Sequence, residues 1–164
     1  MCVLNASPQS EAHSPQILTM GYATEIATVL NDKPFRADGL TAAARTALQK
    51  AKVTMANVDF RISDTAGESY GFREQSLLVT RLLRERKEDF ELWHPAEYTG
   101  CSGAASGVVQ LVVLEDAFRH GYAPGPRVLS CSSEASGERA VVLLQGTNCV
   151  ADIVGEDAPN RVAL

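Results

Sequence analysis

The order of apolar and polar positions divides this chain into segments with the two-residue period of strands and the 3.6-residue period of helices. Residues 17–29, "ILTMGYATEIATV", are β-branched and aromatic enough to predict a strand, and the turn residues of "NDKPFRADG" break it. Leu40, Ala43, Ala44, Ala47, Leu48 and Ala51 then recur near helical spacing, with Thr41 able to cap if the helix begins one residue later than Gly39 suggests. "NVDFRISD" alternates Val58, Phe60 and Ile62 with polar neighbours and predicts a strand. In residues 70–89, "YGFREQSLLVTRLLRERKED", Phe72, Leu78, Val79, Leu82 and Leu83 share one side. Arg73, Glu74, Arg81, Arg84, Glu85 and Lys87 mostly take the other, as in a surface helix. A short extended piece, "FELW", precedes a further helix over residues 103–119, and "PRVLSCSS" and "ERAVVLLQ" read as two strands joined by a short turn around "EASG".

The order is therefore β-α-β-α-β-α-β-β. Strands alternating with helices predict an α/β domain with a largely parallel sheet and helices on both faces. The last two strands are joined too closely to be anything but antiparallel, so the sheet is expected to be mixed. Residues 1–16 and 146–164 have few large apolar groups and read as flexible tails around a folded domain at 17–145.

One predicted helix has too little polar surface. Between Ala104 and Leu114 only Ser106, Gly107 and Gln110 are not aliphatic. A helix on one sheet needs one apolar stripe, whereas a helix apolar all round is normally buried on all sides. At ~25 cal/mol per Å², a few hundred Å² left bare would forgo several kcal/mol. Either the Ala-rich helix of the same chain covers it, or a second protein does. The residues expected at such an interface are Ala104, Ala105, Val108, Val109, Leu111 and Val112.

Composition narrows the function classes. The chain has 164 residues, 45% of them hydrophobic, which suits one globular domain with a core. A net charge of -5 argues against nucleic acid as a partner. The sequence offers neither a bilayer-spanning run nor a signal-peptide pattern, so a cytoplasmic protein without a membrane partner is expected. Cys2, Cys101, Cys131 and Cys149 have no CxxC pairing and read as reduced thiols, mostly packing residues.

Several side chains are candidates for chemistry. Cys101 falls near a helix N-terminus and His94 lies seven residues before it, the ingredients of a Cys-His acyl transferase, but no oriented base or oxyanion hole can be named beside them. The alternative reading makes Cys101 a small packing residue in a close turn. "GCSGA" departs from the G-x-S-x-G elbow at Ala104. His94, Cys101, His120 and Cys131 match no zinc spacing, so no metal or cofactor is expected; His120 reads as a helix C-terminal residue before a capping Gly121. Asp64, Glu68, Arg73 and Glu74 cluster after a strand end, where they could serve acid-base work or, more simply, cap the next helix and pair with Arg73.

Five stretches together resemble the C-terminal half of a β-ketoacyl synthase, of the thiolase-like superfamily. "MGYATE" resembles its first strand, "GLTAAARTALQKAKVTMANVDFRISD" its Ala-rich helix and following strand, and "TGCSGAASG" the small-residue helix start after the second catalytic histidine. "AFRHGYAPGPRVLS" and "SSEASGERAVVLL" resemble the helix end with its Pro-containing link and the final hairpin. The resemblance implies a thiolase-like half-domain: a five-stranded mixed sheet between helical layers, with the small-residue helix in a middle layer shared with a second half. It also exposes departures. The His-Gly-Thr motif after the second strand corresponds to "ISDTAGESYGFRE", without histidine; Cys101 stands at about the place of the second histidine; "SEASGER" replaces the Gly-Phe-Gly-Gly loop; and the nucleophilic cysteine belongs to an N-terminal half with no counterpart here.

The expectation is a degenerate, catalytically inactive ketosynthase-like domain that binds protein, as a homodimer or as a heterodimer with a ketosynthase/thiolase-like protein. Small proteins of this kind occur in bacterial type VI secretion effector clusters, which implies an adaptor, chaperone or accessory role with an effector as possible partner. The alternative is a ketosynthase-type acyltransferase acting on acyl thioesters, its site completed by a partner subunit. A third reading is a binder of acyl carrier protein through Arg81, Arg84 and Arg86.

Overall fold

The computed structural model describes residues 14–146. Its elements are β1 (Gln16–Thr24), α1 (Asp38–Ala51), β2 (Phe60–Ser63), α2 (Ser69–Leu82), β3 (Leu92–Trp93), α3 (Ala96–Thr99), α4 (Ser106–His120), β4 (Arg127–Ser133) and β5 (Glu138–Gln145). The strands form one sheet in the order β1-β5-β4-β2-β3. β2 runs parallel to β3 and β4, whereas β5 runs antiparallel to both β4 and β1. The mixed five-stranded α/β architecture is as expected, but the sheet is less parallel than the alternation suggested. The reason is β1, which pairs along its whole length with β5, from Gln16 opposite Gln145 to Thr24 opposite Glu138.

Each face of the sheet has its own core. Leu40, Ala43, Ala44, Ala47 and Leu48 of α1 and Leu78 of α2 pack with Leu129, Cys131, Val141 and Leu143. On the opposite face Leu114, Ala117 and Phe118 of α4 pack with Phe60, Ile62, Val128 and Leu144. Gly21 lets α1 sit close on β1, since a Cβ there would lie 2.1 Å from the Ala43 carbonyl oxygen. Thr19 adds to the contact by donating its hydroxyl to the Ala47 carbonyl at 2.8 Å.

The first strand stops at Thr24, short of residue 29, because Glu25 turns to the start of α1. Its buried carboxylate accepts the N–H of Gly39 at 2.8 Å and of Ala27 at 3.1 Å. A side chain 14 residues upstream thus caps the helix, where Gly39 has no room for a Cβ against the Glu25 backbone at 2.6 Å. The helix begins at Asp38, so Thr41 lies inside it, buried, and is not a cap.

α2 ends at Leu82 rather than continuing through residues 84–89. After it the chain turns back so that Phe90 receives Arg61 at 4.8 Å and Lys87 at 5.0 Å over its ring, and Lys87 bonds the Val58 carbonyl. The four-residue α3 was not expected from the sequence. Both end segments fall largely outside the described residues, with Cys2, His13 and Cys149 among them. Two residues assigned to those tails belong to the fold: Gln16 opens β1, and Gly146 donates its N–H to the Pro126 carbonyl at 2.8 Å. Among the described residues no helix is long and apolar enough to cross a membrane.

Candidate functional site

The helix singled out by its apolar circumference uses only part of it. α4 buries Gln110, Leu114, Ala117 and Phe118 toward the sheet. Gln110 is accommodated there because its amide donates to the Cys131 carbonyl at 3.2 Å and accepts from Ser130 Oγ at 2.5 Å. Of the six predicted interface residues, Ala104 and Ala105 are exposed in the 3-10 turn Gly103–Ala105, and Val108 and Val112 are exposed on α4. Val109 and Leu111 are half-buried, Leu111 against the core beneath the helix. The Ala-rich α1 lies on the other face of the sheet, so it does not cover them.

Geometry shows why so much stays bare. A helix is roughly 10 Å wide and strands lie roughly 4.8 Å apart, so a five-stranded face takes about two helices. The first face has α1 and α2; the second has one long helix, α4, set over β2, β4 and the end of β5. The strip left over is β1 with the outer part of β5. Met20 lies opposite Val142 and Tyr22 opposite Ala140, on the same side of the sheet as Leu144 beneath α4. Met20 is 38% exposed and Tyr22 66%. Seven of the eleven exposed large hydrophobic side chains among the described residues fall between Ile17 and Leu30. Sequence reading assigned the interface to α4 alone and missed this strip. The signal was present in β1, which is apolar at consecutive positions, as in strands covered on both faces.

A second feature is a cleft of about 270 Å³ at the C-terminal ends of β2 and β4, lined in part by Asp64, Glu68, Tyr70, Glu74, Cys101 and Arg139. Glu74 does not pair with Arg73, as the spacing suggested. Its buried carboxylate meets the equally buried Arg139 at 2.7 Å and accepts from Ser133 Oγ at 3.1 Å, while Arg73 stacks 5.7 Å over Phe35. Burial works against the Arg139 charge, yet the Glu74 carboxylate outweighs it and holds the guanidinium pKa above its usual value. Arg139 also donates to Tyr70 Oη at 3.0 Å, and Tyr70 donates to the Ala27 carbonyl at 2.8 Å. Asp64 does not cap α2; it accepts the Ser133 N–H at 2.8 Å. Burial, with Glu68 and Glu74 nearby, pushes its pKa up to about 6 against that hydrogen bond.

The proposed catalytic pair is not assembled. His94 lies with Nδ1 2.9 Å from Glu97 Oε2 and its ring edge-on to Phe72 at 5.2 Å. Cys101 is exposed at the cleft and is not a packing residue; the buried thiol is Cys131, pushed up to about 12 by burial. His120 closes α4 beside Asp116 at 3.1 Å, with Gly121 in the left-handed conformation as the C-cap. Of the three arginines suggested for carrier-protein binding, Arg81, in the last turn of α2, is tied to Asp38 at 2.6 Å and to the Arg36 carbonyl at 2.7 Å.

Solved structures place this architecture. The ishigamide ketosynthase/chain length factor superposes over 80% of this chain and 37% of its own, with a TM-score of 0.66 and 19% identity. The fold is thiolase-like. A ketosynthase described with its type II PKS acyl-carrier protein matches this half-domain over 82% of the chain and 39% of its own, TM-score 0.71 at 14% identity. The ketosynthase–chain length factor complex of Xenorhabdus doucetiae covers 84% and 40%, TM-score 0.61 at 16% identity. The chain thus spans about two fifths of the length of these three structures, which is the extent of one thiolase-like half-domain. No family model and no curated protein sequence matches it.

Proposed function

We propose that this thiolase-like half-domain is a catalytically silent ketosynthase-like module that binds a ketosynthase-like partner. The observation that carries the reading is the sheet face with one long helix where the strand count calls for two, leaving Met20 and Tyr22 of β1 and Val108 and Val112 of α4 exposed. A partner helix set beside α4 supplies the missing cover. Silence in catalysis is supported by Ser63-Asp64-Thr65 at the end of β2, by Cys101 in place of the second histidine, and by His94 turned to Glu97. The partner is a second copy or a related chain, and ketosynthase–chain length factor pairs among the similar structures support the second choice. The role of adaptor, chaperone or accessory protein in a cytoplasmic type VI secretion effector cluster is part of the same proposal.

The test is light scattering on the full chain, alone and co-expressed with ketosynthase-like neighbours. The wild type is expected as a dimer, and Val108→Asp with Val112→Asp as a folded monomer with unchanged circular dichroism. A wild-type chain that stays monomeric with every candidate refutes the reading.

The exposure of Cys101 at the cleft favours a second reading, an acyl-thioester acyltransferase whose site a partner subunit completes. Mass spectrometry after incubation with acyl-CoA or acyl carrier protein distinguishes it, since only this reading expects a stable acyl adduct on Cys101.

A further inference from the structure

The two edges of the sheet differ. β3 offers two residues at one edge, whereas β1 offers nine at the other. Backbone alternation gives the direction of its groups: Glu25 donates its N–H inward to the Gly137 carbonyl at 2.7 Å, so Thr24, Tyr22 and Met20 turn theirs outward. Among the described residues, one side chain meets those outward groups, Lys50 from the last turn of α1, whose Nζ donates to the Met20 carbonyl at 3.0 Å. Natural edge strands are usually blunted by charges, by proline or by a bulge. β1 holds no Pro, Asp, Glu, Lys or Arg, and its one irregularity lies at its start, between Ile17 and Thr19.

From this geometry we propose that the outer edge of β1 takes an extended, acidic segment of a partner protein as a sixth strand, with Lys50 as the cation that selects it. The backbone groups of Met20, Tyr22 and Thr24 supply the ladder, and side chains at alternate positions of the added strand lie against Met20 and Tyr22 on the apolar side. Charge decides the occupant. Lys50, exposed at the end of α1, is the one cation that the described residues show bonded to this edge, while the one acid of α1, Asp38, is held by Arg81 at 2.6 Å. Pairing β1 with a second copy about Gly21 would set two Lys50 ammonium groups against the same short ladder, where like charges repel. An acidic strand reverses that sign. This edge shares the Met20 and Tyr22 side chains with the face beside α4, but its ladder is made by outward backbone groups that a helix set on that face does not use.

The experiment uses the full chain and two probes, an N-acetylated, C-amidated nonapeptide of alternating Val and Glu and its counterpart with Lys for Glu. NMR follows amide hydrogen exchange, and fluorescence anisotropy follows binding. The Glu peptide is expected to slow exchange at Met20, Tyr22 and Thr24 by roughly tenfold and to bind roughly fivefold more tightly than the Lys peptide. Lys50→Glu inverts that preference. Tyr22→Pro abolishes binding, since it deletes an outward N–H the chain's own ladder does not use. Should Tyr22→Pro not fold, the inversion by Lys50→Glu is the deciding readout. Val108→Asp with Val112→Asp binds the peptide as the wild type does, which separates this edge from the α4 face. Equal binding of both peptides, binding of neither, or outward amides already protected before peptide is added overturns the proposal; the last result would show that a second copy or the chain's own ends occupy the edge.

Discussion

Asp64 shows how a single carboxylate acquires a role that no neighbour in sequence explains. It directly follows β2 with its oxygen on the Ser133 N–H, and burial holds its pKa near 6 rather than 3.8. The folded chain therefore binds this proton more tightly than the unfolded chain does. The sign follows: stability falls as pH rises from about 4 to about 6 and is level above that, where both states are ionised. Asp64→Asn keeps an acceptor for Ser133 and removes the charge. Urea titrations across that window are expected to lose this part of their slope, and at pH 7 the variant should be more stable by about 1–3 kcal/mol. The ionisable cluster at residues 64–74 was legible as a cluster. Its pairing was not, because Arg139 lies 65 residues from Glu74 and only the sheet brings them together.

Elements were easier to read than their neighbours. The helical spacing of α1 follows from side chains that must meet one core, and the helix formed within a residue of where the pattern put it. By contrast, β2 takes only Phe60–Ser63 of the expected residues 57–64, with Val58 packed in the core of α1 and Phe60 and Ile62 in the core of α4. The end of β1 and the start of α1 were displaced because Glu25 serves both, a contact no local rule contains. β1 against α1 gives a sharp test of the packing. In Gly21→Ala the new methyl would fall within 2.1 Å of the Ala43 backbone oxygen, and strand and helix must separate. A loss of about 2–3 kcal/mol in chemical denaturation is expected. A neutral result would mean that α1 does not lie on β1 as described.

At the scale of the molecule, the Arg139–Glu74 pair ties the start of β5 to α2, and through Tyr70 to the loop after β1. Arg139→Met strands a buried carboxylate, and a loss of about 3–5 kcal/mol is expected, part of it recovered when Glu74→Gln is added. A cycle of denaturation curves on the wild type, both single variants and the double variant measures the coupling. The primary structure alone was enough for the order of elements, the mixed sheet and the excess apolar surface of α4, since each is written in the spacing of near neighbours. Which face α1 covers, which arginine Glu74 meets and which strand is left at the edge depended on the three-dimensional arrangement. Those outcomes follow from strand order in space, where β1 lies beside β5, its partner from the far end of the described chain, and short-range periodicity carries no information about contacts of that span.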